Sequence, residues 1–193
     1  MTDWESMKKT MNAEQFRLQA TTHDIWIHQA KLLMHAANRL YQDRNMALNQ
    51  MMAREIEDET PEDIWDIQLL PIAQLLAGYA IENLMKGILF SQTPLTNGGK
   101  KGGKLNKDIA NHDLPNLYEM VCEKTGLNAI PETREFLEGL KKIVIWEGRF
   151  PIPKTEKDYV DQKYSWHPGL QGLEMARELF DRLMVEVGKM SNQ

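Results

Sequence analysis

The chain has a single cysteine, Cys122, among its 193 residues, which excludes an internal disulfide and a thiolate metal site and fits a reducing, cytoplasmic setting. Glycine and proline are also sparse, at 12 and 8, and recur at no fixed period, so fibrous, disordered and repeat architectures are excluded. No apolar run approaches the roughly 18 residues of a membrane span. Met1–Thr10 is charged where a secretion signal has its apolar core, so neither a membrane role nor export is expected. Positive charge is in deficit: 23 Lys and Arg against 28 Asp and Glu leave a net charge of −5. The whole-molecule field therefore does not attract polyanions, and any nucleic-acid contact requires a local basic patch. Catalytic signatures are missing too. There is no Gly-x-Ser-x-Gly elbow and no Glu-x-x-His pair of the kind that builds di-iron bundles.

What remains, 42% hydrophobic and 26% charged residues, is globular usage for about one domain. The apolar residues recur at helical spacing throughout, and period-two alternation is nowhere sustained. Asn12 and Gln15 predict a helix start near Ala13, followed by a stripe of Ile25, Leu32, Leu33, Ala36 and Leu40 with Trp26 and Ala37 at its edge. A weaker pattern over 43–45 predicts a break, with more helix beyond it. Thr60-Pro61-Glu62-Asp63 reads as a further start, and Pro71 limits that piece. From Ile72 to Phe90 the chain is apolar almost all round, as a helix at the centre of a bundle should be. Asn111 or Asp113 can cap the next helix, whose face is Leu114, Leu117 and Val121 and whose stop is Gly126. Pro131 opens another, with Phe136, Leu137, Leu140, Ile143 and Val144 inward. After the extended segment Arg149-Phe150-Pro151-Ile152-Pro153, a last stripe runs through Leu173, Ala176, Phe180, Leu183 and Val187. The expected fold is all-α, an up-and-down bundle of about five helices. Residues 1–70 form an N-terminal helical region packing on a core of 71–193, in one cooperative domain.

Few constellations carry chemistry. Gly98 to Lys104 matches most of a phosphate-binding loop, but Leu105 stands where Ser or Thr would hold magnesium and a helix precedes it where that motif needs a strand. A solvated, mobile lysine loop is expected instead. Asp24, His28 and His35 share one face of the first helix to within about 40° at 100° per residue, away from the apolar stripe, and read as a solvated face. No metal site or cofactor is expected. Cys122 reads as a buried structural thiol. Glu82 and Lys86, four apart on the most apolar helix and in the favourable order, read as an internal ion pair or as part of a polar pocket that Arg149 also enters.

Three segments occur in order: Leu76-Ala77-Gly78-Tyr79-Ala80-Ile81-Glu82-Asn83-Leu84-Met85-Lys86-Gly87, then His112-Asp113-Leu114-Pro115-Asn116-Leu117, then Trp146-Glu147-Gly148-Arg149-Phe150-Pro151. Together, over about Ile72 to Val187, they resemble a HEPN domain (higher eukaryotes and prokaryotes nucleotide-binding). That family shows an Ala-x(4)-Glu-x(3)-Lys-like central helix, a His-Asp-Leu helix start and an Arg-Tyr-Pro-like turn before the last helix. The resemblance implies a bundle that often dimerises and that acts in RNA cleavage, in nucleotide or RNA binding, or beside a nucleotidyltransferase in toxin–antitoxin and defence systems. It carries Glu82, Lys86, His112 and Arg149 over as nucleotide- or RNA-binding residues. The family's ribonucleases carry Arg-x(4–6)-His near a late helix. Here the histidine next after Arg149 is His167, and the one match to that spacing, Arg17 to His23, lies on the first helix. Binding is therefore the expected role. The alternatives are a metal-independent ribonuclease using Arg149 and His112, and a dimerisation or scaffold module without ligand. Arg149, aimed by a rigid turn, is expected to pair with Glu82.

Overall fold

The computed structural model describes residues 6–12, 22–53, 69–92, 109–147 and 169–190. These are helical almost throughout, and there is no strand among them. Among the described residues five α-helices carry the fold: α1 (His23–Ala53), α2 (Leu70–Gln92), α3 (Leu114–Thr125), α4 (Pro131–Lys142) and α5 (Gly169–Met190). A short helical run over 6–12 precedes them, exposed along its length. Asn12 is helical, the predicted start at Ala13 and Gln15 lies outside the described residues, and α1 begins at His23, with Ile25 N–H donating to the Thr22 carbonyl. Nor does α1 break at 43–45. Polar residues there leave the backbone ladder intact, because the helix is supported along its other side.

Helix α2 is the axis of the molecule, packing against α1, α3, α4 and α5. Its sequence explains this. Ala73, Ala77, Ala80, Ile81, Leu84, Met85, Ile88 and Leu89 point in different directions around the helix, and all are buried, so every side needs a neighbour. Pro71 lies in the first turn, where its missing N–H costs nothing. Two glycines set how closely the neighbours come. A Cβ on Gly87 would sit 3.1 Å from Ile27 Cγ1 and 3.2 Å from Trp26 Cβ, which brings the start of α1 against the end of α2 and makes the pair antiparallel. Trp26 stacks on Phe90 there, with ring centroids 5.3 Å apart. On another side a Cβ on Gly78 would meet Val144 Cγ2 at 2.4 Å, so only glycine admits that contact.

The buried stripe of α1 is Ile27, Ala30, Met34 and Ala37, flanked by partly buried Trp26, Leu33, Leu40 and Tyr41. This corrects the expected phase. Ile25 and Leu32 are 43% and 51% exposed; the seam against the alanines of α2 favours small residues that let two backbones approach, and large aliphatic side chains were a poor guide to it. The stripes of α3, α4 and α5 are buried as expected. Gly126 ends α3 with φ 75°, in the left-handed region, its N–H donating to the Cys122 carbonyl at 2.9 Å. Residues Ile143–Glu147 prolong α4 as a wider π-helical turn, and the Tyr79 hydroxyl donates to the Val144 carbonyl within it at 3.5 Å.

Candidate functional site

Glu82 lies at mid-length on α2, with its side chain 6% exposed. Burying a carboxylate in such a helix costs several kcal/mol unless it is paired, and here it is paired twice. Lys86, one turn on and 7% exposed, donates to Oε1 at 2.6 Å. From the segment before α3, His112 Nδ1 lies 3.0 Å from both carboxylate oxygens. A carboxylate only accepts, so Nδ1 carries the hydrogen and Nε2 is left for other partners. His112 is the member of the trio that meets solvent, at 49% exposure. The Lys86 ammonium also lies 6.0 Å from the Trp26 ring centroid, so its positive charge is shared between a carboxylate and an aromatic face.

The backbone around His112 is fixed on both sides. Asn111 Oδ1 accepts the Asp113 N–H at 3.0 Å, and the Leu114 N–H donates to the His112 carbonyl at 3.1 Å. Asp113 occupies the cap position of α3 but makes no side-chain cap bond. Its carboxylate accepts from Lys141 on α4 at 2.9 Å instead, tying the His112 segment to a third helix. The result is an imidazole on an anchored backbone, backed by a buried carboxylate and half exposed to solvent. Such a group donates to an anion such as a phosphate when protonated, and when neutral accepts a proton or a hydrogen bond from a base edge.

No family model, no curated protein and no solved structure matches this chain.

Of the four residues expected at the site, three come together. Arg149, and with it the expected pairing to Glu82, lies outside the described residues, as do the lysine loop over 93–108, the start at Thr60 and Pro61, and His167. Asp24, His28 and His35 are exposed on α1; His23 Nε2 approaches Asp24 Oδ1 at 3.3 Å. No cluster of three metal-ligating side chains occurs among the described residues. Cys122 is partly and not fully buried. Burial pushes its thiol up, against smaller opposing effects of the nearby Tyr118 hydroxyl and the Arg182 charge, so at neutral pH it is a protonated thiol and a poor nucleophile. No helix among the described residues is long and apolar enough to cross a membrane. Two participants escaped the sequence reading. Lys141 and Trp26 reach the cluster from helices distant in sequence, and no local spacing signals either contact.

Proposed function

We propose that this chain is a HEPN-like domain that binds a nucleotide or RNA through the cluster of Glu82, Lys86 and His112, with Arg149 added on the strength of the resemblance. One observation carries the reading: a buried carboxylate on the central helix is shared by a buried lysine and a half-exposed, backbone-anchored imidazole. A core needs no such trio. Three apolar side chains of similar volume would serve stability as well or better, since buried ion pairs rarely repay their desolvation. The arrangement gains its use at the surface, where His112 Nε2 offers a fixed contact to a phosphate or a base edge. The partners implied are those of the family: a second copy of the chain, and a nucleotidyltransferase-type protein of a toxin–antitoxin or defence system, in the cytoplasm.

The carboxylate–imidazole geometry favours a second reading, metal-independent RNA cleavage with His112 as general base. Glu82 would hold the ring in the required tautomer and stabilise the imidazolium that forms.

Titration of the purified protein with ATP and with mixed RNA tests both. The wild type is expected to bind at least one of them, and His112→Ala to lose at least tenfold in affinity while melting within about 1 kcal/mol of wild type, as a half-exposed side chain should. Equal binding by the variant, or no binding by the wild type, overturns the proposal. RNA degradation in EDTA that is lost in His112→Ala would establish the second reading.

A further inference from the structure

Among the described residues, the charged groups that accompany His112 cancel one another. From α2 come Glu82 and Lys86, bonded at 2.6 Å and both buried. Asp113, next in the chain, is held by Lys141 of α4 at 2.9 Å. Helix α1 meets the cluster with the uncharged Trp26 ring, 6.0 Å from the Lys86 ammonium; the titratable groups at that end of α1, His23 and Asp24, lie 3.3 Å from each other. With two carboxylates and two ammonium groups in two pairs, the net charge of the cluster is set by His112: zero with a neutral ring, +1 with an imidazolium.

Hydrogen-bonding chemistry points the same way. Nδ1 is committed to Glu82, 3.0 Å from both carboxylate oxygens, so Nε2 is the ring atom left for a ligand. In the neutral ring Nε2 is an acceptor and opposes a phosphate oxygen, which is another acceptor; in the imidazolium it is an N–H donor. Protonation breaks no bond already made, because Nδ1 carries its hydrogen in both forms. A chain of net charge −5 offers a nucleotide or an RNA strand no general attraction, and a neutral cluster adds none. We infer that the His112 site binds the phosphate group of its ligand together with one proton, so that acidity switches it on across the range where histidine changes charge, about pH 5 to 8. This rests on the binding role proposed for the cluster and names the group recognised. A base edge that donates to neutral Nε2 is bound with release of a proton, the opposite sign.

Binding calorimetry on the full chain tests this with two probes, a short oligouridylate and ATP, across about pH 5 to 8. Buffers of different ionisation enthalpy report the protons taken up per ligand bound. Phosphodiesters do not titrate in this range but the terminal phosphate of ATP does, so for ATP the uptake is taken as the difference from His112→Gln, whose amide keeps a donor toward Glu82 and gains no proton. On the alkaline side wild-type uptake should approach one proton, and affinity should fall by up to about tenfold per pH unit. His112→Gln should bind the oligouridylate weakly and without pH dependence. By reciprocity, saturating ligand should hold His112 protonated to higher pH, visible in its imidazole 15N resonances without any variant. This profile with the oligouridylate assigns an RNA backbone phosphate; with ATP alone, a nucleotide phosphate. Binding that needs His112 but takes up no proton or releases one, or uptake that persists in His112→Gln, overturns the inference and leaves the binding role standing. Failure of both probes to bind overturns the binding role, and the inference with it.

Discussion

Glu82 holds two hydrogen-bonding partners, the Lys86 ammonium and the His112 imidazole, on one buried carboxylate, and the cost of removing either differs by burial. Lys86 is enclosed by α2 and the Trp26 ring, so Lys86→Met leaves the carboxylate with His112 alone. Breaking such a buried pair costs about 3–5 kcal/mol, to be read from urea melts. The double variant Glu82→Gln with Lys86→Met removes both charges and should recover most of that loss. A Lys86→Met protein that melts like wild type would show that the pair contributes nothing. Glu82 and Lys86 were legible in the sequence, because four-residue spacing on an apolar helix forces two charges toward each other. His112 emerged only from the family resemblance, since thirty positions separate it from Glu82. The diversion of Asp113 from capping to Lys141 was invisible, because a helix cap and a tertiary ion pair draw on the same residue type.

At the scale of elements, apolar periodicity located α2 to α5 nearly to their ends and misjudged α1. The stripes of α4 and α5 contain large side chains facing a common core, so bulk and burial coincide. In α1 the inward face is built on Ala30 and Ala37 and the outward one bears Ile25 and Leu32, so bulk and burial separate. Close approach, not hydrophobicity alone, decides which face of a helix turns inward. Glycines on α2 make the same point. Gly78→Ala drives a methyl group into Val144 and Leu140, and overpacking of this kind should destabilise by about 1–3 kcal/mol. Gly188 on α5 has open space around it, so Gly188→Ala should stabilise by up to about 1 kcal/mol through helix propensity alone. Denaturation midpoints of the two variants should therefore move in opposite directions; a shared direction would contradict the packing described for α2.

For the molecule as a whole, the net charge of −5 makes the location of positive charge the deciding question, because a polyanion is repelled unless a local site outweighs the field. Lys86 is buried and its charge is matched by Glu82, so the group of the cluster that can meet an anion, where α2 joins the segment leading into α3, is the half-exposed His112. The ring nitrogens of this imidazole can be observed directly. Imidazole resonances of 15N-labelled protein, with His112 assigned by its loss in His112→Ala, should be followed during titration with ATP and with mixed RNA. Nε2 of His112 is predicted to shift saturably with ligand, ahead of His28 and His35 on α1 and in step with the affinity measured by binding. Saturation that leaves His112 unmoved while other histidines respond would place the ligand elsewhere and contradict the account.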